Sequence, residues 1–179
     1  MAFRITVRPS MKAPETALIT GANGGIGSTL ARKLAAAGTK LVLAGRNAEA
    51  LGALGTELGA RTVVGDFTKA EEVSRCVNEA INELGHIEAA AHCIGSILLK
   101  PAHLTSIDDW DAVMSTNLNS SFYLLRELGR PMSKFGGALA FVTSVAAEKG
   151  LNNHEAIAAA KAGLAGLTRS AAATYARSK

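Results

Sequence analysis

The sequence predicts an α/β protein built on a doubly wound parallel sheet, on three observations. Short apolar runs alternate with longer helical segments, as expected when parallel strands are joined by helical crossovers. The runs are nearly continuous, as in Leu41-Val42-Leu43-Ala44, which indicates strands buried on both faces. A glycine-rich segment, from Thr20 to Gly27, follows the first apolar run and opens the first helical segment.

Strands and helices are expected in strict alternation, with capping residues at several helix ends. The expected strands are Thr16–Thr20, Lys40–Ala44, Arg61–Gly65, Ile87–His92 and Ala138–Thr143, and the expected helices lie near residues 25–37, 48–58, 69–84, 106–130 and 153–177. The expected N-terminal caps are Asn47, the pair Thr68 and Glu71, and the pair Asn152 and Glu155, and the expected helix exits are Gly38 and Gly59.

The composition is that of a globular domain. Of the 179 residues, 48% are apolar and 19% are charged, and no apolar run is long enough for a membrane span. Six of the 19 basic residues lie in residues 1–12 and 169–179, which contain no acid, so the body holds 13 basic against 15 acidic residues. Because the basic residues form no stripe with interleaved aromatics, nucleic-acid binding is not expected.

The cysteines and the N-terminus bear on the compartment. Cys76 and Cys93 lack the spacing and the histidine neighbours of a metal site, which favours free thiols in a reducing, cytoplasmic compartment and no bound metal. Residues 1–12 are interpreted as a disordered extension and residues 13–179 as the folded domain. The extension lacks the apolar core of a signal peptide, so Met11 is an alternative start to Met1, and a remnant of an organellar transit peptide is the other interpretation.

The glycine-rich segment predicts a dinucleotide site. Gly21 permits a tight strand-to-helix turn, Gly25 lets the backbone approach a pyrophosphate, and Gly27 allows the helix to pack closely. Free N–H groups and the positive end of the helix dipole then meet the phosphates. The alternative is a purely structural turn, since glycine-rich turns are common. The remaining residues expected at this site are Asn23, Gly24 and Ile26.

The end of the second strand favours NADP over NAD. Arg46 stands where an NAD site usually has an acid for the ribose 2′-hydroxyl, and the next acid is Glu49. A guanidinium suits a 2′-phosphate because it forms bidentate, charge-assisted bonds. A solvated surface arginine, with NAD as the cofactor, is the alternative.

Residues 144–161 carry a second motif, with Ser144, Ile157 and Lys161 at fixed spacing. Together with the glycine segment it resembles the short-chain dehydrogenase/reductase family, which places a catalytic serine thirteen residues before the tyrosine of a Tyr-x-x-x-Lys motif. Ser144 and Lys161 match that motif, and Ile157 occupies the tyrosine position. The resemblance covers about residues 14–177 and implies a Rossmann fold with two further strands. We therefore expect the chain to be a fragment that ends after the fifth helix, or the fifth strand to be covered by other means.

The resemblance also implies roles for single residues. In the family the serine hydrogen-bonds the substrate carbonyl and the lysine holds the nicotinamide ribose, which are the roles implied for Ser144 and Lys161. Asn117 matches a helix asparagine whose carbonyl holds a water bound to that lysine. Asp66, followed by Phe67, matches an acid that hydrogen-bonds the adenine amino group.

The segment His92-Cys93-Ile94-Gly95 departs from the family pattern Asn-Asn-Ala-Gly. Gly95 is retained, and the resemblance implies that backbone there passes close to the cofactor. His92 is interpreted as a structural replacement for an asparagine rather than as a metal ligand.

Ile157 can neither give nor accept a proton, and the loss of a general acid typically costs about 10²–10⁴-fold in rate. His154 lies on the same predicted helix face, at i−3 from Ile157, and histidine ordinarily titrates near neutral pH. His154 is therefore a candidate substitute acid. The alternative is a solvated first-turn histidine.

The resulting hypothesis is an NADP-dependent oxidoreductase that transfers hydride between the nicotinamide and a carbonyl or alcohol. The competing hypothesis is an NADP-binding protein without turnover, acting as a sensor or an assembly partner. The resemblance further implies a homodimer or homotetramer through the fourth and fifth predicted helices, where Gly163 and Gly166 favour close approach of another backbone. The substrate is not identified by the sequence.

Overall fold

A computed structural model describes residues 12–175 of the chain. Its centre is a five-stranded, all-parallel sheet in the order β3-β2-β1-β4-β5. The strands are β1 (Thr16–Thr20), β2 (Lys40–Gly45), β3 (Arg61–Val64), β4 (Ala89–His92) and β5 (Ala138–Phe141). The helices are α1 (Gly25–Ala36), α2 (Ala48–Leu58), α3 (Ala70–Leu84), α4 (Ile107–Met114), α5 (Ser120–Phe135) and α6 (Glu155–Tyr175). The expected doubly wound fold is confirmed.

The central strands are buried on both faces, as their apolar runs predict. Leu18 and Val42 face one core, where they pack with residues of α3 and α5. Ile19 and Leu43, the next residues along the same strands, face a second core that includes α1 and α2. This alternation divides each strand between two apolar layers, which is the physical basis of the doubly wound arrangement.

The long helix expected at residues 106–130 is divided in two. A π-helical turn, Ser115–Asn119, separates α4 from α5, and α5 continues to Phe135. The expected helical segment is therefore confirmed, and the π turn within it is a feature that the sequence did not predict. Because a π turn adds a residue to the helical repeat, it changes which side chains face the sheet beyond it.

Predictions about helix ends had mixed outcomes. The Asn47 cap is confirmed, since its Oδ1 accepts a hydrogen bond from Ala50 N at 3.0 Å, and Gly59 ends α2 in the left-handed conformation. The Thr68 cap was wrong, because Lys69 precedes α3 and the Thr68 hydroxyl donates to Asp66 Oδ1 instead. Asn152 contacts the start of α6 through its main-chain carbonyl, which accepts a hydrogen bond from the His154 ring.

The strand order places a crevice at the carboxyl ends of β1 and β4. The chain turns from β1 towards β2 and β3 on one side and later returns to β4 on the other, which is the switch point where α/β sheets bind ligands. Within residues 12–175, β5 forms the outer edge and pairs only with β4. No helix in that range is long and apolar enough to cross a membrane. The predicted N-terminal extension, apart from Lys12, lies outside the described residues.

Candidate functional site

The turn between β1 and α1 requires glycine at two positions. Gly21 has a φ of +68°, and a Cβ there would lie 2.9 Å from the main-chain carbon of Cys93. A Cβ on Gly27 would collide with the carbonyl oxygen of Gly21 and lie 2.8 Å from Ala22 Cα. At Gly25, by contrast, no atom lies within 4 Å of the position a Cβ would take. The turn is closely packed on its inner side and open at the start of α1.

The start of α1 has no side-chain cap. Gly24 precedes the helix as its N-cap residue and has no side chain to cap the first N–H groups, and the first turn contains no acid. Its first N–H groups have no intrahelical partner, and the positive end of the helix dipole is not neutralised. Ile26, in the same turn, is 58% exposed. This end of α1 is suited to an anion.

A cleft of about 280 Å³ opens in front of this turn, at the carboxyl ends of the strands. It brings together most of the residues expected at the nucleotide site. Its walls are Gly21, Asn23, Gly24, Gly45, Arg46, Asn47, Asp66, Phe67, Thr68, Cys93, Ile94, Gly95 and Thr116. Gly25, Ile26 and Gly27 belong to the adjoining turn and are not among the wall residues.

Asp66 and Arg46 give this cleft a charged side. Partial burial alone would raise the pKa of Asp66, but two hydrogen bonds from Thr68, with the charges of Arg46 and Lys69, lower it overall. The bonds run to Asp66 Oδ1 from Thr68 N at 3.0 Å and from the Thr68 hydroxyl at 2.8 Å. The carboxyl group is therefore held ionised beside the Arg46 guanidinium.

Phe67 lines the cleft although its side chain is buried. Its side chain is 1% exposed and packs in the core with Val63 and Val73. Any contact with a bound molecule must therefore come from its main-chain atoms.

Asn117 lies in the π turn and is fully buried, whereas Asn119 is exposed. Its Oδ1 accepts from Ser96 N at 3.1 Å, and its Nδ2 donates to Ser96 Oγ at 2.9 Å and to Val113 O at 3.0 Å. Asn117 thereby ties the loop after β4 to the helix. Its own carbonyl accepts a long side-chain hydrogen bond of 3.5 Å from the Ser121 hydroxyl.

Lys161 is buried beside Gly95 without an acidic partner in the described part of the chain. Its Nζ donates to Val142 O at 2.8 Å, and burial lowers its pKa. A Cβ on Gly95 would lie 3.5 Å from this Nζ and only 3.2 Å from Asn117 Oδ1, so glycine at this position allows both polar groups to approach the main chain closely.

Ser144 follows the segment that holds Lys161. Thr143, its neighbour, donates a hydrogen bond of 3.4 Å to the Lys161 carbonyl. Ser144 Oγ accepts from Ala146 N at 3.2 Å, and the residue begins a short 3-10 helix, Val145–Ala147. The fold therefore brings the ends of β4 and β5, the π turn and α6 to one place.

Ile157 is 4% exposed and forms a small apolar cluster with Val113, Ala156 and Ala160. The place of the family's tyrosine is thus filled by hydrocarbon.

His154 immediately precedes α6 and lines an open depression with Ala146, Ala147 and Ala158. Its Nδ1 lies 2.6 Å from the Asn152 carbonyl, which can only accept, so Nδ1 carries the proton. The described structure places His154 in this depression and not among the walls of the nucleotide cleft.

His92 is a buried structural residue, as its position in the motif suggests. Its Nδ1 lies 2.6 Å from the Thr20 hydroxyl and its Nε2 lies 3.0 Å from the Ser120 hydroxyl. Burial first, and then the charge of Lys161, lower its pKa to about 3.

Sequence reasoning missed Ser96, Thr116 and Ser120, which hold or line the site. The only available signal was the presence of several small polar residues within a helical segment.

Comparison with known proteins identifies this arrangement. The sequence profile of the short chain dehydrogenase family matches residues 15–179. The chain belongs to that family.

Two curated relatives illustrate the similarity of this member of the family. It is 32% identical over 167 residues to a D-threitol dehydrogenase of Mycolicibacterium smegmatis, covering 90% of this chain and 64% of the relative. It is 33% identical over 169 residues to a hydroxynaphthalene reductase-like protein of Metarhizium brunneum, covering 90% of this chain and 63% of the relative. The chain therefore spans less than two thirds of the length of these relatives.

Solved structures agree with this assignment. A short-chain type dehydrogenase/reductase from Mycobacterium ulcerans superposes with a TM-score of 0.88 at 27% identity, covering 92% of this chain and 63% of that one. An NAD⁺-bound xylitol dehydrogenase gives a TM-score of 0.88 at 30% identity, covering 93% and 67%. The Rossmann-type fold of the short-chain dehydrogenases is therefore shared by this chain.

The residues present fit a nicotinamide dinucleotide, the cofactor of this family. The start of α1 is uncapped, there is open space at Gly25, and Gly95 lets the main chain pass close to Asn117 and Lys161. Arg46 and Asp66 line the same cleft as Gly95.

Proposed function

We propose that this protein is an NADP-dependent oxidoreductase acting on a small carbonyl or alcohol. The observation that carries the proposal is the cleft itself, which is lined by the turn before the uncapped start of α1, by Arg46, and by Gly95, beside which Lys161 is buried. The relatives are named as dehydrogenases and reductases, which supports the reaction class.

The dinucleotide would be held along the carboxyl edge of the sheet. Its pyrophosphate would meet the first N–H groups of α1, and Asp66 would accept a hydrogen bond from the adenine amino group through its Oδ2. Lys161 would donate to the nicotinamide ribose with the N–H groups that Val142 does not use. When bound, the nicotinamide supplies or accepts the hydride.

Ser144 would orient the substrate by donating its hydroxyl proton in a hydrogen bond to the carbonyl oxygen. The hydroxyl is free to do so because it uses only its oxygen, as acceptor, towards Ala146 N. Ile157 contributes apolar surface and no proton. Turnover is therefore expected to be slow, with proximity and polarisation of the carbonyl as the remaining sources of rate.

The choice of NADP over NAD rests on Arg46. Its guanidinium forms no ion pair within residues 12–175 other than its longer-range attraction to Asp66. A free guanidinium at the cleft edge suits a dianionic 2′-phosphate.

A fluorescence titration with NADPH and with NADH tests the proposal. We expect NADPH to bind at least about tenfold more tightly, because a charge-assisted bidentate contact contributes about 1.5–3 kcal/mol. Arg46→Ala should remove most of this preference and leave NADH binding unchanged. Arg130→Ala, an exposed change on α5, is the matched control and should leave both affinities as they are.

Two results would contradict the proposal. Failure of the folded protein to bind either dinucleotide would remove the oxidoreductase function. Equal affinity for both, insensitive to Arg46, would retain a nucleotide site and reject NADP specificity.

A nucleotide-binding protein without turnover remains the second candidate, favoured by one observation. Ile157, which stands at the tyrosine position of the motif, is closely packed in an apolar cluster and has no proton to donate. Saturable NADPH binding together with no oxidation of NADPH by a panel of ketones and aldehydes would support this candidate.

We also propose a homodimer or homotetramer through α4, the π turn, α5 and α6. Phe122 of α5 is 47% exposed, and a Cβ on Gly166 of α6 would meet nothing within 4 Å. Glycine at position 163 is explained by packing within the chain instead, because a Cβ there would lie 3.1 Å from Leu118 of the π turn. Light scattering over a range of protein concentrations measures the state directly.

A further inference from the structure

A chain of buried hydrogen bonds runs from the sheet to the π turn through His92. Ser120 Oγ donates to Thr116 O at 2.6 Å, because a carbonyl can only accept. The single hydroxyl proton of Ser120 is therefore used, and its oxygen must accept from His92 Nε2 at 3.0 Å. It follows that Nε2 carries the imidazole proton and that Nδ1 accepts from the Thr20 hydroxyl at 2.6 Å. The direction of all three bonds is fixed.

The end of this chain is the part of the helix that faces the nucleotide cleft. Thr116 is a wall residue of the cleft, and Asn117, the next residue, holds Ser96 by two hydrogen bonds. In a π turn the regular i−4 carbonyl pairing is interrupted, and here the hydroxyls of Ser120 and Ser121 bond the carbonyls of Thr116 and Asn117. The serine at 120 therefore stabilises the turn only while its hydroxyl points at Thr116.

Packing alone does not account for a histidine at this position. The ring lies between Phe67 and Phe141, with centroid separations of 6.1 Å and 6.0 Å, where an apolar side chain would also fit. An apolar residue would leave the Thr20 hydroxyl proton without this acceptor and the Ser120 oxygen without this donor, although Ser120 would still donate to Thr116 O inside the core. The imidazole supplies one donor and one acceptor on opposite sides, as the two hydroxyls require.

We propose that His92 is a positioning residue for the cofactor cleft. By accepting from Thr20 and donating to Ser120, it fixes the rotamer of the Ser120 hydroxyl, and through it the π turn that carries Thr116 and Asn117. The part of this inference that concerns cofactor affinity rests on the proposed function above. The part that concerns the turn does not.

Two variants test the two hydrogen bonds of the imidazole separately. The amide of His92→Gln reaches about as far as Nε2 and can donate to Ser120, whereas the shorter amide of His92→Asn lies near Nδ1 and serves Thr20 alone. Hydrogen exchange of the native protein should show the amides of residues 113–121 exchanging about tenfold faster in His92→Asn, and nearly unchanged in His92→Gln. Amides of α3, in the same core, measure any change in global stability, and the differences at residues 113–121 are taken relative to them.

Ser120→Ala tests the same connection without altering the imidazole. It should accelerate exchange in residues 113–121 to the same extent as His92→Asn. A double variant that combines Ser120→Ala with His92→Asn should show no further acceleration, because both changes remove the same hydrogen bond between residues 92 and 120. If the two His92 variants exchange alike, or if α3 is accelerated equally, His92 has only a general structural role and the inference is wrong.

NADPH affinity provides a second measurement at a temperature where all variants are folded. We expect His92→Asn and Ser120→Ala to weaken binding by about fivefold or more, and His92→Gln to retain it. Val73→Ala, a core change in α3 away from the cleft, controls for loss of stability and should leave affinity unchanged.

Unchanged affinity in His92→Asn would overturn the link to the cleft. Absence of NADPH binding in the unaltered protein would reject the proposed function, while the exchange data would still decide the role of His92.

Discussion

At the scale of single residues, Ile157 has the greatest effect on the chemistry expected of this site. Lys161, Ser144 and Asn117, the residues of the proposed site, are held by defined hydrogen bonds, and Ile157 in the same motif lacks a proton donor. The side chain at 157 is enclosed by Val113 and Ala160 rather than by water. A single substitution therefore tests whether the rest of the site is competent.

Ile157→Tyr should raise the rate of carbonyl reduction by about 10²–10⁴-fold, the usual contribution of a general acid. The phenol would stand four residues before Lys161, on the same face of α6. Oxidation of NADPH, followed by absorbance with a panel of aldehydes and ketones, measures the change. Ile157→Phe is the matched control, since it adds the ring without the hydroxyl and should give no gain.

The same assay decides the role of His154. If it serves as the substitute acid, His154→Ala should lower the residual rate of the unaltered protein and have little effect in the Ile157→Tyr background. Equal rates with and without the imidazole would leave His154 as a first-turn residue hydrogen-bonded to Asn152.

At the scale of elements, the helix glycines differ in whether the surrounding atoms leave room for a side chain. Gly27 has no room for a methyl group, whereas Gly25 and Gly52 of α2 have no neighbour within 4 Å of a Cβ. All three lie in helices, so alanine carries the same propensity gain at each, up to about 1 kcal/mol.

Gly25→Ala should leave the fold intact and weaken NADPH binding by about tenfold or more, because the added methyl group occupies the space in front of the helix start. Gly52→Ala should stabilise the protein by about 0.5–1 kcal/mol without changing affinity. Urea unfolding and NADPH titration of both variants make the comparison. Full affinity in Gly25→Ala would show that the pyrophosphate lies elsewhere.

The sequence was informative about strands, and less so about the site, for physical reasons. Apolar runs such as Leu41–Ala44 predict buried parallel strands because burial on both faces leaves a distinct composition. The π turn at Ser115–Asn119 leaves no such pattern, since it adds one residue to a helix that is otherwise regular. The Thr68 cap failed because a nearby carboxylate, Asp66, competes for the same hydroxyl.

The candidate site depends on approaches between distant segments. The motifs identify Lys161 and Asn117, but their positions close to Gly95 follow from the packing of α6 against the π turn and from the bonds between Asn117 and Ser96 in the loop after β4. The network of Thr20, His92 and Ser120 joins three elements far apart in the chain. Spacing along a sequence does not contain that information.

At the scale of the whole molecule, His92 makes the stability of the fold sensitive to acid. Its pKa is lowered from 6.5 to about 3 in the folded chain, so between these values the unfolded state binds the extra proton. Stability is therefore fully present above pH 6.5 and is lost progressively as the pH falls towards 3.

Between pH 6.5 and pH 5, the free energy of unfolding should fall by about 2 kcal/mol from this residue alone. His92→Gln should be less stable at neutral pH and should lack this slope. Urea unfolding at four pH values in this range measures both, with His103→Gln, an exposed change, as control. Parallel slopes in the unaltered protein and in His92→Gln would show that other groups account for the acid sensitivity.

The uncapped start of α1 links the folding equilibrium to the solution around the protein. Sulfate or inorganic phosphate can occupy the same N–H groups as a pyrophosphate. Any such ion shifts the equilibrium towards the native state, and a ligand at a hundred times its dissociation constant adds about 2.7 kcal/mol. The melting temperature therefore rises with the fraction of protein that has an anion bound at the start of α1. A buffer chosen for convenience can stabilise the fold while competing with the nucleotide.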